Sequence, residues 1–265
     1  MQVLVLPTAG DVDARAADLV AEQVSRRPDT VLGVATGSSP LGAYRELARR
    51  QAHGLLDLAR LRCFALDEYV GLPSGHPAGY AAVLERELAR PFGLPPSRVQ
   101  VPDGSRGDLG AACRDYEEAV ARAGGIDLQI LGIGANGHIG FNEPGSSLSS
   151  RTRVKALSAR TRADNARFFE APDHVPTHCV TQGLGTILDA RRVLLVAQGE
   201  RKAAAVAAAV EGPVSAMCPA SVLQFHRAVT VVVDEAAASR LIMDDYYRYT
   251  FANRPEWQRF ETFGG

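Results

Sequence analysis

Cysteine is scarce and scattered. Cys63, Cys113, Cys179 and Cys218 are the only four among 265 residues, and no two stand close enough for a CxxC pair. That excludes a disulfide framework and a zinc-ribbon spacing, and leaves four small buried hydrophobes. Long apolar runs are missing as well. The longest, KAAAVAAAV from Lys202 to Val210, is too short and too alanine-rich to span a bilayer. The opening MQVLVLPTAGDVDARAA has no basic stretch leading into an apolar one, so it reads as a strand entering a helix rather than a signal peptide. A soluble protein of the cytoplasm, with no membrane partner, is the expectation. An excess of charge is absent too. With 29 basic against 30 acidic residues, nucleic-acid binding through a strong positive field is excluded, while a local basic pocket for a phosphate is not. No linker rich in Pro, Gly or Ser divides the chain and no repeat recurs, so residues 1–265 read as one domain.

What is present is enough for a full core, at 46% hydrophobic residues. Short β-branched runs alternate with helix-like stretches. Strands are expected at 3–6, 31–35, 62–67, 127–134, 191–197 and 228–234. Helices are expected at 11–26, 40–51, 80–88, 108–123, 200–211 and 236–247. The strand segments are apolar throughout instead of alternating, which is the pattern of strands covered on both faces. The predicted fold is therefore α/β: a single Rossmann-like domain with a mostly parallel sheet and helices on both faces. Residues 146–178 differ. They are polar and basic, show no clear strand and follow the most motif-like part of the chain, so a lid is expected there.

Ligands of parallel sheets bind beyond the carboxyl ends of the strands, and three such ends carry chemistry. In ATGSSP (35–40), Gly37 allows close backbone approach, Thr36, Ser38 and Ser39 supply hydroxyls, and Pro40 opens a helix whose free N–H groups suit an anion. The string is neither a Walker loop nor GxGxxG, so a nucleotide is not indicated. Taken alone it is also an ordinary capped turn. In LDEYVGL (66–72), Asp67 and Glu68 end a strand, where a partly desolvated carboxylate can serve as a base near neutral pH; a capping Asp is the plainer reading of that string by itself. In LGIGANGHIGFNEPGSS (131–147), five glycines separate Asn136, His138, Asn142 and Glu143, a composition no core element has. His138 is the natural proton carrier near pH 7, and Glu143 can orient it. One His and one Glu are a thin ligand set, so no metal is expected. Several basic residues are candidates for a phosphate, and Arg162 and Lys202 are the better placed.

The strings TGSSP, FALDEYVGL, GIGANGHIGFNEPGSSLSSRTR and TRADNARFF, in this order and spacing, resemble the glucosamine-6-phosphate deaminase family over nearly the whole chain. The resemblance implies isomerisation and deamination of glucosamine 6-phosphate to fructose 6-phosphate and ammonia in amino-sugar catabolism, by a hydrolase acting on the C–N bond of a sugar imine. It implies that Asp67 moves the proton between carbon 2 and carbon 1, and that His138 opens the pyranose ring with Glu143 as its carboxylate partner. Asn136 matches a position that is Asp in some members, where Asn gives His138 a hydrogen-bonding partner without the negative charge. Gly37, Ser38, Arg162 and Lys202 match positions that hold the phosphate. With Thr36, Ser39 and Gly137 they make up the expected substrate site. Residues 152–172 match a mobile lid. Acid–base groups suffice for this route, and no cofactor is called for. Some members form homo-oligomers activated by N-acetylglucosamine 6-phosphate bound between subunits. Ser146, Arg153 and Lys155 match parts of that allosteric site, but Ala156 stands where the regulated members have Thr, so weak activation or none is expected. The rival readings are a lactonase or pentose-phosphate isomerase on a similar fold, and a non-catalytic sugar-phosphate sensor. The sensor is disfavoured because the chain has no spare helix-turn-helix.

Overall fold

The computed structural model describes residues 1–254, so the last eleven positions of the expected domain lie outside it. Ten strands form two sheets. The larger contains β1 (Gln2–Leu6), β2 (Val31–Val34), β3 (Arg62–Ala65), β5 (Val99–Gln100), β6 (Leu128–Leu131), β9 (Val193–Ala197) and β10 (Val229–Asp234). Its order is β1-β10-β9-β6-β2-β3-β5, and every pairing is parallel. β2, β6, β9 and β10 are buried along their whole length, as runs without a polar face must be.

Successive strand residues feed opposite layers. Val31, Leu131, Leu195 and Val231 join one apolar cluster, whereas their neighbours Leu32, Ile130, Leu194 and Val232 join another. The period-2 pleat thus fills a core on each side of the sheet. The second cluster also takes the inner faces of α1 (Ala9–Arg26) and α2 (Ser38–Ala52), through residues such as Val20 and Leu47. The first takes those of α5 (Leu109–Arg122), α7 (Leu184–Leu188) and α8 (Ala203–Val210), through Tyr116, Ile187 and Val206.

After β2 the chain moves outward to β3 and β5. After β6 it moves the other way, to β9 and β10. The sheet therefore has its topological switch between β2 and β6, where a crevice opens at the carboxyl ends.

Three departures from the sequence reading matter for the site. First, the strand expected at 62–67 breaks at Leu66. Asp67 starts β4 (Asp67–Tyr69), which pairs antiparallel with β8 (His178–Thr181), itself paired with β7 (Arg153–Ala156). The 146–178 region thus holds strands where none was expected, and the first part of the lid is sheet. β7 alternates half-buried Arg153 and Lys155 with exposed Val154 and Ala156, an inverted pattern without an apolar signature. Only α6 (Ala159–Asn165) and the turns after it stand clear of that sheet. Second, the helix at 80–88 begins as α3 (Tyr80–Leu84) and continues through a π turn, Glu85–Ala89, into α4 (Arg90–Phe92). Third, the helix expected at 236–247 is split into α9 (Glu235–Ala238) and α10 (Asp244–Ala252). The carboxylate of Glu211 accepts from the N–H groups of Ile242 and Met243, which caps a new helix start and stops the first one from running on.

Candidate active site

Four neighbouring strands, β9, β6, β2 and β3, deliver their carboxyl ends to one cavity of about 950 Å³. Each end contributes a different function.

From β2, Gly37 takes φ 98°, a conformation that side chains avoid, and starts α2 with no side chain capping it. The first-turn N–H groups are left for a ligand, and Thr36, Ser38 and Ser39 line the cavity beside them. From β9, Gly199 (φ 83°) turns the chain into Glu200–Lys202, and both carboxylate oxygens of Asp234 accept from its N–H at 3.0 Å. Lys202 reaches into the cavity, where its Nζ donates to the Ile133 carbonyl at 2.7 Å, and burial lowers its pKa. Two glycine turns therefore face one space, one bringing hydroxyls and the other an ammonium group.

Asp67 stands where β3 leaves the main sheet, and it is 5% exposed. Burial first, and the neighbouring Glu68 second, push its carboxyl up to about 8, against a smaller opposing hydrogen bond from the Phe141 N–H. Glu68 points elsewhere. Its carboxylate accepts from the N–H groups of Tyr69, Tyr80 and Ala81 and anchors the start of α3. Of the two adjacent acids, then, only Asp67 lines the cavity.

From β6, the glycine-rich loop brings in His138. A Cβ on Gly134 would lie 2.2 Å from the imidazole Cε1, so the ring packs directly on backbone that only glycine leaves free. On Gly137 (φ 82°) a Cβ would meet the Cys218 Sγ at 2.7 Å. His138 Nδ1 is buried without a hydrogen-bond partner, 3.8 Å from Glu143 Oε2. Burial lowers the imidazole pKa more than Glu143 raises it, which favours the neutral ring. Burial pushes Glu143 up, but donors from Thr161 and Asn136, with His138 and Ser158, outweigh it and hold the carboxyl below its ordinary value.

Asn136 does not play the part expected of it. Its Nδ2 donates to Glu143 Oε2 at 2.8 Å and its Oδ1 accepts from the His138 N–H at 3.2 Å, so it does not bond the imidazole. The amide is the better donor to a buried carboxylate, and an Asp here would set two negative charges against each other.

The lid supplies Arg160, Thr161, Asp164, Asn165 and Arg167 to the cavity wall. Arg162, the lid arginine favoured by the sequence reading, does not line it. Its guanidinium donates to the Val175 carbonyl at 3.1 and 3.3 Å and braces the lid from behind. Arg167, one of the several basic candidates ranked below Arg162, does line the cavity, whereas Arg160 and the Gln198–Gly199 turn are residues that the sequence reading missed. The signal for the turn was a glycine directly after the apolar strand VLLVA. Of the remaining expected residues, Gly137 and the candidate allosteric set Ser146, Arg153 and Lys155 lie outside the lining. Ser146 Oγ and Arg153 Nη2 are buried without hydrogen-bond partners, and Arg153 Nη1 donates to Asn142 at 2.9 Å. Among the described residues, no three His, Cys, Asp or Glu side chains gather as metal ligands would, and no helix is long and apolar enough to cross a membrane.

Glycine turns carrying hydroxyls and an ammonium group, a carboxylate pushed up by burial and an imidazole–carboxylate pair at one parallel-sheet crevice are features of an α/β enzyme. Residues 8–232 match the family described as glucosamine-6-phosphate isomerases/6-phosphogluconolactonase, and the chain belongs to it. It is 57% identical over 258 residues to a glucosamine-6-phosphate deaminase of Arthrobacter sp. (strain FB24), covering 97% of this chain and 99% of the relative. It is 58% identical over 254 residues to one of Cutibacterium acnes, covering 96% and 97%. A solved monomeric glucosamine-6-phosphate deaminase superposes with a TM-score of 0.88 at 43% identity, over 91% of this chain and all of that one. A 6-phosphogluconolactonase from Trypanosoma cruzi superposes at 0.73 over 91% of this chain and 97% of that one. At 20% identity it shares the fold alone.

Proposed function

We propose that this cavity takes glucosamine 6-phosphate and water and returns fructose 6-phosphate and ammonia. The observation that carries this reading is the convergence on one crevice of a carboxylate titrating near 8, Asp67, with two turns built for an anion. The carbon-bound proton of an amino aldose demands such a base, and the phosphate demands such turns.

The chemistry follows from the residues. The closed pyranose has no acidic carbon proton, so it opens first. A proton passes from the anomeric hydroxyl to the ring oxygen, carried by His138 with Glu143 behind it. The aldehyde then acidifies the proton on carbon 2. Asp67 takes it and returns it to carbon 1, leaving an imine at carbon 2. Water adds to the imine, ammonia leaves and the ketose remains. The C–N bond is broken by water, which makes the enzyme a hydrolase in this reading. Lys202, Arg167 and the N–H groups at Gly37 and Ser38 hold the phosphate, with Thr36 and Ser39 supplying donors. The segment 158–172 covers the sugar, and the cytoplasm is the proposed site of action. An activator at Ser146, Arg153 and Lys155 would have to satisfy the buried Ser146 and Arg153 atoms that lack partners.

The test is ammonia release from glucosamine 6-phosphate, coupled to fructose 6-phosphate detection, run beside hydrolysis of 6-phosphogluconolactone. Lactone hydrolysis without ammonia release would overturn the proposal.

A further inference from the structure

Glu143 is held from two sides. Its Oε2 accepts from Asn136 and faces His138 Nδ1. Its Oε1 accepts from two hydroxyls of the lid, Ser158 Oγ at 3.1 Å and, more closely still, Thr161 Oγ1. Ser158 Oγ and Thr161 Oγ1 lie 3.0 Å apart, and Thr161 is 4% exposed. The carboxylate that serves the imidazole is thus fixed at its far end by the segment that covers the cavity.

We propose that Thr161, assisted by Ser158, is a positioning residue that aims Glu143 at His138 only while α6 is seated. This rests on the reading of the cavity as a deaminase site in which His138 opens the ring. The terminal torsion of a Glu side chain is broad and roughly two-fold. With Oε1 released, the Asn136 amide still holds Oε2, but a single hydrogen bond leaves the carboxylate free to pivot about it and away from the imidazole. Release also removes two of the donors that offset its burial, so its proton affinity rises. By linkage, a proton on Glu143 loosens the lid as much as an open lid favours that proton. The titratable and charged groups facing the pair are Cys179 on β8, Lys202, and Asp164 and Arg160 on α6. Burial keeps the Cys179 thiol protonated.

The experiment compares Thr161→Val, which keeps the shape and removes the hydroxyl, with Thr161→Ser, which restores it. Thr161→Val should lower kcat on the closed-ring substrate roughly tenfold with little change in KM, the effect of one lost hydrogen bond to a charge. In substrate-free protein carrying carboxyl-labelled glutamate, the Glu143 resonance, assigned by its loss in Glu143→Gln, should titrate about one unit higher in Thr161→Val. Amides 159–165 should exchange faster. Thr161→Ser should return all three. The parent needs no variant for a further check, since exchange of 159–165, corrected for intrinsic rates, should rise as Glu143 is protonated. Parental titration of Glu143 in Thr161→Val, or lid exchange in the parent that ignores pH, overturns the inference. A parent that releases no ammonia removes the functional reading instead, and the titration and exchange measurements still decide whether Thr161 holds Glu143.

Discussion

Replacing Asp67 by Asn should inactivate the enzyme and stabilise it, and the stabilisation should depend on pH. The carboxyl is raised from 3.8 to about 8, with burial as the leading cause. Well below pH 3.8 it is neutral folded and unfolded, so the buried acid costs nothing then. As pH rises, the unfolded chain ionises first and the folded state falls behind until its own pKa is passed. A rise of about four units, at about 1.4 kcal/mol each, sets a ceiling of about 5–6 kcal/mol on that penalty at pH 8 and above. Asp67 borders a cavity wide enough for water, so partial hydration should reduce the measured gain to about 2–4 kcal/mol. Asn keeps the shape and cannot ionise. Its melting temperature should exceed the parent's by about 4–16 °C at pH 8, on a scale of about 2–4 °C per kcal/mol, and by far less at pH 4. Solvent-hydrogen exchange at carbon 2 should vanish in the same variant. In the parent, kcat/KM should climb with pH through about 8, because the base must lose its proton before it can act. A melting difference that is the same at pH 4 and pH 8 would refute the argument, as would a variant that still exchanges the carbon-2 proton.

Lys202→Ala and Arg167→Ala should each raise KM for the phosphorylated sugar, by about 1.5–3 kcal/mol for a lost charged hydrogen bond. Arg162→Ala, which gives up only its hold on the Val175 carbonyl, should leave KM within about twofold of the parent. Equal losses at Arg162 and Arg167 would put both guanidinium groups on the phosphate. Gly134→Ala should keep the fold by circular dichroism but displace the imidazole, which has only 2.2 Å to the new Cβ, and lower kcat at least about tenfold. With Ala156 in place of Thr, the substrate saturation curve should be hyperbolic and indifferent to N-acetylglucosamine 6-phosphate. A sigmoidal curve that this sugar straightens would refute that.

The main sheet was legible because a parallel strand covered on both faces has one signature. VLGV, LQIL, VLLVA and VTVVV show no alternating polar face, are buried along their whole length, and all four lie in the seven-stranded sheet. The small antiparallel sheet was not legible, because its strands owe little to burial. β7 is held by pairing to β8, with exposed Val154 and half-buried Arg153 and Lys155. No local pattern distinguishes such a strand from a polar loop, and tertiary pairing decides it. The split between α9 and α10 was hidden for a related reason. The stretch from Ala236 onward reads as one helix, and the carboxylate that interrupts it comes from Glu211, about thirty residues earlier.

For the site, the motifs after β3 and β6 bring Asp67 and His138 to one cavity, with Glu143 behind the imidazole, 3.8 Å from its Nδ1. The lid was harder, and its arginines show why. Composition says only that a basic segment faces a phosphate, whereas which arginine faces it is a matter of helical phase. At about 100° per residue, positions 160 and 164 fall on one face of α6 and position 162 falls about 200° from 160, on the other side. The cavity is lined by Arg160 and Asp164, and Arg162 reaches back to Val175. Reading 158–165 as a helix starting at Ser158, whose Oγ accepts from the Thr161 N–H, would have separated these residues in advance. The same phase turns Thr161 inward to Glu143. A single register of one short helix therefore decides both which charges line the cavity and which hydroxyl bonds the carboxylate behind His138. Shifting that register by one residue would undo both, which ties the lid's local sequence to the chemistry beneath it.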